Sequence, residues 1–360
     1  MSLADFRLIP LAGSVVVSVV RFSWSRRWSI PGGSVIGLSL GSRSFAVRWP
    51  GFVSMQRRVK RYRFTKIAFV SSFQSTDRMT NDPRNRIDPA NYYDRLGEGE
   101  WERLEESFKN SLEFENTTDY LDRFLPESGR VLDAGGAAGR YSIWLAEKGY
   151  DVTVLDLSAE QVAIAKRRVA ERDLESRVSV QRGDIRDLPF SDDRFDATLC
   201  LGGPLSHVID ADGRDAAVRE LRRVAKSDAP VFVSVMGFVA VVQNLIKSAP
   251  HFQAGVRQLP DVVETRDYSP ELIAKHGIDD PSFVECHFFR SDELRRLLEA
   301  RGIAVEVVAG LEGPASNFGA NLEEIDEEAQ ETVAEVVETL REDPTIADLS
   351  NHILAVGRVE

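Results

Sequence analysis

Cysteine is scarce in this sequence: only Cys200 and Cys286 occur among 360 residues. Two cysteines so far apart fit no metal-ligand spacing, and their number excludes a disulfide-rich secreted scaffold. Both lie in or beside predicted strands. We therefore expect reduced thiols in the core of a cytoplasmic protein that has no metal site.

Long apolar runs are also missing. The broken run at residues 8–20 is shorter than the roughly 20 residues that a membrane-spanning helix needs. The sequence therefore predicts no membrane partner. The hydrophobic fraction of 43% is nevertheless ample for the core of one large domain or two ordinary ones.

Acidic residues are nearly absent from the first part of the chain, and basic residues are in the minority in the rest. Residues 1–78 contain 13 of the 45 Lys and Arg residues but only two of the 57 Asp and Glu residues. The other 32 basic residues, six of them lysines, are outnumbered by 55 acidic ones. Such a surface is similar to those of halophilic proteins and favours solubility. Because it offers no basic patch, we expect no nucleic-acid partner for residues 79–360.

Residues 1–78 show no helical or strand period over more than a few positions. Three interpretations compete: a signal or transit segment, a basic nucleic-acid arm, or translated sequence upstream of the true start. Composition changes abruptly at Met79, which precedes a polar run. We therefore favour the third interpretation, and expect residues 1–78 to be disordered or absent from the native protein.

Residues 79–125 have a helical pattern rich in aromatic side chains, ending in a helix at 112–125. Tyr92, Tyr93 and Trp101 allow two interpretations, since aromatic stripes usually pack as core but also form lids over ligands. The segment is predicted as a helical N-terminal lid.

Residues 126–360 alternate short apolar runs with amphipathic helices. The predicted strands lie at 131–132, 152–155, 178–180, 195–201, 229–236, 303–309 and 351–359. This alternation predicts an α/β, Rossmann-like, doubly wound sheet of seven mostly parallel strands with helices on both faces. Residues 237–290 break the rhythm and predict a small cap insertion after strand five. A last helix is predicted at 322–341, with Leu322, Ile325, Val333, Val336, Val337 and Leu340 facing inward.

The stretch 131–158 carries the first chemical signal. Gly135, Gly136 and Gly139 follow a buried strand and open a helix, whose free N–H groups suit a carboxylate or phosphate. Asp156 ends the next strand, where an acid suits a ribose diol. Dinucleotide and S-adenosylmethionine sites share both features.

Two further positions distinguish an S-adenosylmethionine site from a dinucleotide site. A dinucleotide fingerprint starting at Gly135 needs glycine or alanine where this chain has Arg140. The dinucleotide pattern also does not require the Gly183-Asp184 pair after the third strand.

The chain resembles a class I S-adenosylmethionine-dependent methyltransferase over about residues 112–309. The resemblance rests on 132–139, Asp156, 183–185, Phe195-Asp196 and 221–237, in order and at family spacing. It implies that S-adenosyl-L-methionine is the cofactor, with Asp133 at its amino group, Asp156 at its ribose, and Asp184 and Ile185 at its adenine. It further implies a turn of Gly135, Gly136, Ala137 and Gly139 against the methionyl portion, and contacts from Leu157 and Leu201. It also implies that the last strand of the sheet is antiparallel. Ala137 stands where the family often has glycine, which narrows the approach to the cofactor.

The implied reaction is an in-line displacement driven mainly by proximity and orientation. A base is needed only if the acceptor must lose a proton. His207, in the loop after strand four, is the candidate, although loop histidines are more often packing residues; His251 and His287 in the cap are others. The loop lacks the Asn-Pro-Pro-aromatic pattern of enzymes that methylate base or amide nitrogen.

The sequence thus predicts methyl transfer to a small-molecule acceptor. The alternatives are a non-catalytic S-adenosylmethionine-binding or regulatory protein and, with less support, a NAD(P)-dependent oxidoreductase. The acceptor, the atom methylated and the oligomeric state are not indicated.

Overall fold

The computed structural model describes residues 35–40, 43–48, 87–250, 253–278 and 283–360. The chain divides into two compact units, Met1–Phe73 and Gln74–Glu360. In the first unit, strands β1 (Val35–Leu40) and β2 (Arg43–Arg48) form an antiparallel pair that the sequence did not predict. Met79, the expected start, lies outside the described residues, and the absence of residues 1–78 from the native protein stays a prediction.

The described residues of the second unit contain nine strands. They are β3 (Arg130–Ala134), β4 (Asp151–Asp156), β5 (Val178–Arg182), β6 (Ala197–Cys200), β7 (Pro230–Met236), the short antiparallel pair β8 (Asp267–Tyr268) and β9 (Cys286–His287), β10 (Ile303–Gly310) and β11 (His352–Val359). Seven form one sheet in the order β10-β11-β7-β6-β3-β4-β5. In this sheet β11 runs in the direction opposite to that of the other six strands. The predicted seven-stranded, mostly parallel sheet with an antiparallel last strand is confirmed.

Six helices precede or follow the first strands of the sheet. They are α1 (Pro89–Leu96), α2 (Gly99–Arg103), α3 (Phe108–Phe124), α4 (Arg140–Glu147), α5 (Ala159–Ala170) and α6 (Ala211–Val224). Side chains that accept backbone N–H bonds start α1, α3, α5 and α6, namely Asp88, Ser107, Ser158 and Asp210. Each of these side chains satisfies a backbone N–H group that the helix start would otherwise leave without a partner.

Alternate residues of each strand enter two hydrophobic cores. Leu132 and Val233 pack with α6 on one face of the sheet, while their neighbours Val131 and Phe232 pack with α3, α4 and α5 on the other. Each of these four side chains is fully buried. Because both faces are covered, ligands have access at the strand ends.

The segment 237–290 follows β7 and forms helices α7 (Phe238–Lys247), α8 (Gln253–Arg257), α9 (Leu259–Thr265) and α10 (Pro270–His276) as well as β8 and β9. Its buried side chains, among them Val262, Leu272 and Ile273, form a hydrophobic cluster of their own together with Ile87. Its action as a cap stays a prediction.

The C-terminal helices are α11 (Ser291–Glu299), α12 (Gly319–Leu322), α13 (Glu327–Leu340) and α14 (Pro344–Leu349). The helix predicted at 322–341 begins only at Glu327, because Asp326 accepts a hydrogen bond from Ala329 N–H and caps its start. Ile325, Val336 and Leu340 are 37%, 46% and 38% exposed rather than inward-facing. Among the described residues, no helix has the length and hydrophobicity needed to cross a membrane.

Candidate active site

The turn after β3 requires glycine at two adjacent positions. Gly135 has a φ of +80°, and a Cβ there would collide with Pro204. A Cβ on Gly136 would lie 2.6 Å from Oδ2 of Asp133. Glycine therefore brings bare backbone to the carboxyl end of β3, where a ligand can approach it closely.

Ala137 adopts a left-handed conformation, with a φ of +43°. Its N–H donates to Oδ2 of Asp156 at 2.9 Å. This conformation disfavours alanine by about 1–2 kcal/mol, a penalty that glycine escapes. Alanine therefore differs from glycine at this position in the cost of the backbone conformation as well as in the space that its methyl group occupies.

Asp156 ends β4 and also accepts a 2.9 Å bond from Ser158 N–H. Burial raises the pKa of its carboxyl group to about 6, although the N–H groups of Ser158 and Ala137 act in the opposite direction. The next side chain, Leu157, is 38% exposed despite being apolar. An acid beside an apolar surface at the end of a strand suits a ligand with a hydroxylated and an aromatic part.

These residues border a cavity of about 230 Å³, the glycine-turn cavity. It lies at the carboxyl ends of β3, β4 and β6. Of the ten cofactor residues predicted from sequence, the following eight line it: Gly135, Gly136, Ala137, Asp156, Leu157, Asp184, Ile185 and Leu201. Residues from four separate loops of the sheet are thus brought to one place.

Asp133 and Gly139 are not among the lining residues. Asp133 is buried behind Gly136, and its Oδ2 accepts a 2.6 Å bond from Ser142 Oγ. Its Oδ1 has no hydrogen-bond partner among the described residues, and burial raises the pKa of the carboxyl group to about 6. Gly139, with a φ of +82°, turns the chain into α4. Both residues therefore shape the turn from behind.

Asp184 and Ile185 differ in their environments. Arg186 donates to both carboxylate oxygens of Asp184, at 3.0 Å and 2.6 Å. Burial opposes ionisation, but these bonds lower the pKa of Asp184. Ile185 is only 8% exposed. The Asp184 carboxylate is thus bound by Arg186 of its own loop. Ile185 and Leu201 form an apolar part of the cavity wall.

His207 ends a short 3-10 helix, Pro204–His207, which Ser206 holds by accepting a 2.9 Å bond from Met236 N–H. Nδ1 of His207 lies 2.9 Å from the carbonyl oxygen of Glu285, which can only accept, so Nδ1 carries the proton. Nε2 then accepts from the hydroxyl of Tyr93 at 3.0 Å. Burial lowers the pKa of His207 to about 4, so the ring is neutral at physiological pH.

The other two histidine candidates do not join this site. His287 is buried and held by Asp267 at 2.6 Å and Glu293 at 3.1 Å, and it lines neither cavity described here. These two carboxylates, one on β8 and one on α11, hold the ring, and the structure does not bring His287 to the site. His251 lies outside the described residues.

A second cavity of about 940 Å³ adjoins the first. Four residues line both: Tyr93, Glu100, Arg103 and Gly202. Sequence reasoning missed Glu100 and Arg103, because charged residues on a short helix are normally solvated. The aromatic stripe did indicate Tyr93, but as a packing or lid residue.

A buried ion-pair network supports this shared wall. Arg103 binds both oxygens of Glu113, at 2.5 Å and 3.1 Å, and the ring of His352 lies 2.5 Å from Glu312. Burial opposes charging of His352, but Glu113 and Glu312 raise its pKa. Glu113, Glu312 and His352 place possible ligand atoms within 4.8 Å of one another, but Arg103 already binds Glu113 and the His352 ring already binds Glu312.

The fold and this site define a nucleotide-cofactor enzyme of the Rossmann-like α/β class. Residues 131–228 match a family model described as a methyltransferase domain. This match, together with the sheet and the glycine turn, supports a class I S-adenosylmethionine-dependent methyltransferase.

Two curated relatives and one solved structure illustrate the similarity. Methyltransferase GfsG of Streptomyces halstedii is 28% identical, over 55% of this chain and 70% of the relative. Glycine/sarcosine N-methyltransferase of Aphanothece halophytica is 27% identical, over 60% of this chain and 82% of the relative. A Thermotoga maritima structure described as an S-adenosylmethionine-dependent methyltransferase, possible histamine N-methyltransferase, is 18% identical with a TM-score of 0.47, over 74% of this chain and 98% of that one.

Proposed function

We propose that this methyltransferase binds S-adenosylmethionine in the glycine-turn cavity and methylates a small-molecule acceptor held in the second cavity. The observation that carries the proposal is the wall common to both cavities, formed by Tyr93, Glu100, Arg103 and Gly202. Two ligands that meet at one wall have the proximity that a direct transfer needs.

The residues present fit the cofactor. The glycine turn leaves room for a ligand against bare backbone, and the unpartnered Oδ1 of Asp133 behind it favours a cationic group nearby. Asp156 offers carboxylate oxygens to a diol, while Leu157, Ile185 and Leu201 offer apolar contact to a base. When bound, S-adenosylmethionine supplies a methyl group on an activated sulfonium leaving group.

Tyr93 and His207 are placed to take a proton from the acceptor. Tyr93 lines both cavities, and its hydroxyl proton already points to the neutral Nε2 of His207. As the acceptor X–H gives its proton to the Tyr93 oxygen, the Tyr93 proton moves to Nε2, and His207 becomes an imidazolium. The lone pair freed on X would form the new bond to the methyl carbon as the carbon–sulfur bond of the cofactor breaks and its electron pair stays on sulfur, which becomes a neutral thioether. His207 thus acts through Tyr93 rather than on the acceptor directly.

Two segments contribute side chains to the cavity walls. Tyr93 and Arg103 lie on α1 and α2, and Glu285 comes from the 237–290 segment. These positions support the roles of residues 79–125 as a lid and of residues 237–290 as a cap. The two buried free thiols, Cys200 and Cys286, support a cytoplasmic location.

Calorimetry of the full chain with S-adenosylmethionine and with NADH tests the cofactor. We expect binding of the first only. An assay of S-adenosylhomocysteine release in fractionated extracts of small metabolites then tests turnover. Binding of NADH in preference, or binding of S-adenosylmethionine without release from any fraction, would contradict the proposal.

A further inference from the structure

The second cavity is mainly apolar and large for a small acceptor. Its walls include Met236, Val241, Leu245, Val262, Phe283 and Phe288. Tyr92 and Tyr268 both meet Phe283 edge to face, with ring centroids 6.4 Å and 6.5 Å apart. The volume of about 940 Å³ lies at the upper end of the range for drug-sized ligands, roughly 300–1,000 Å³. An amino acid as small as glycine would leave most of this apolar surface without contact.

The polar part of the wall carries little net charge. Arg103 is paired with Glu113 and Glu100, and His352 with Glu312. Lys109 and Glu106, which also line the cavity, have opposite signs. A cavity balanced in this way favours an uncharged acceptor, since a buried charge without a partner is strongly disfavoured.

Gln258 is the exception in the apolar wall. It precedes α9, lines the cavity and is 1% exposed. Neither its amide nitrogen nor its amide oxygen has a hydrogen-bond partner among the described residues. Buried amides are nearly always paired, because each unpaired group is destabilising. A ligand group that both donates and accepts would satisfy this one.

We propose that the acceptor is an uncharged molecule with an extended apolar, ring-bearing body and a carboxamide or similar donor-acceptor group that pairs with Gln258. Its reacting hydroxyl or amine then lies at the Tyr93 end of the cavity. This inference rests on the proposed function for the identity of the reaction, but the binding that it predicts is measured separately.

The test compares two matched phenols and glycine as ligands of the full chain in the presence of S-adenosylhomocysteine. The phenols are 4′-hydroxybiphenyl-4-carboxamide and 4-hydroxy-4′-isopropylbiphenyl, which share size and shape. We expect the carboxamide to bind about tenfold tighter than the isopropyl compound, the effect of one buried neutral hydrogen-bonded group. Glycine should bind weakest. In Gln258→Leu the preference for the carboxamide should vanish while the affinity for S-adenosylmethionine is kept.

A second pair of variants tests the cavity without touching Gln258. Val241→Trp fills the wall from α7 and should abolish binding of both biphenyls. Val242→Trp, the next residue of the same helix, lines neither cavity and should leave binding intact.

Three results would overturn the inference: neither biphenyl binds, glycine binds more tightly than both, or the carboxamide preference survives in Gln258→Leu. Failure of the wild-type chain to bind S-adenosylmethionine would instead contradict the proposed function, whatever the biphenyls do.

Discussion

The hydroxyl of Tyr93 donates a 3.0 Å hydrogen bond to Nε2 of His207, a residue 114 positions later in the chain. The bond joins α1 to the loop after β6, and the carbonyl of Glu285 fixes the opposite side of the imidazole. Three separate segments therefore determine the tautomer of one ring. This arrangement gives His207 a proton-accepting nitrogen that faces Tyr93 instead of open solvent.

Removing the Tyr93 hydroxyl tests the proton path. Tyr93→Phe should lower kcat at least tenfold with little change in cofactor affinity, because proton transfer by a positioned group contributes about 10²–10⁴-fold. Since the pKa of His207 is about 4, the wild-type rate should stay level above pH 6 and fall as pH drops toward 4. Steady-state kinetics across pH 4–9 checks both. Tyr92→Phe, whose ring lines only the second cavity, is the control, and equal rates for both variants would count against the path.

Asp156 should matter for the cofactor where a neighbouring acid on the same strand does not. Asp156→Asn removes a buried charge at the cavity and should raise the Kd for S-adenosylmethionine about 10- to 100-fold, the effect of losing a charged hydrogen bond. Asp151→Asn changes an exposed acid at the opposite end of β4 and should leave the Kd unchanged. Calorimetry at pH 8 measures both, and similar affinities for the two variants would exclude the ribose role.

Asp133 should make stability depend on pH. Burial raises the pKa of its carboxyl group from 3.8 to about 6, so its contribution to stability is complete below pH 4 and is lost as pH rises through 6. Asp133→Asn stays neutral and escapes this loss. The free energy of unfolding of the variant should therefore exceed that of the wild type by about 2–3 kcal/mol more at pH 8 than at pH 4. Urea unfolding at both pH values measures the difference, and a gap that does not change with pH would refute the prediction.

Ala137 should tolerate glycine but not a branched side chain. Ala137→Gly relieves the left-handed strain of about 1–2 kcal/mol and loses about 0.5–1 kcal/mol to chain entropy, so stability should stay equal or rise slightly. Ala137→Val should destabilise the protein and weaken cofactor binding, because a β-branched residue is strained at positive φ. Thermal unfolding with and without S-adenosylmethionine checks both variants. A glycine variant clearly less stable than the wild type would show that the conformation is not strained.

Much of the fold could be predicted because its signals are local. Apolar runs such as 229–236 and capping residues such as Ser158 depend only on near neighbours, and the observed strand Pro230–Met236 and helix Ala159–Ala170 follow them. At 322–341 the predicted helix start and the predicted inward-facing residues were inaccurate. The helix lies at the surface, and several of its apolar residues stay exposed. There, the capping side chain of Asp326 determines the helix start, although the apolar periodicity begins earlier.

The sequence by itself determined the sheet, the glycine turn and the positions of Asp156, Asp184 and His207, because strand order and turn geometry carry these residues to the carboxyl ends of the strands. Only the tertiary structure decided which groups face one another there. The contacts of Tyr93, Arg103 and Gln258 come from segments distant in the chain. No local sequence pattern indicates whether a polar side chain will face water, a hydrogen-bond partner or a buried cavity. Burial leaves Oδ1 of Asp133 without a hydrogen-bond partner among the described residues and keeps the His207 ring neutral. Burial is a property of the folded chain as a whole.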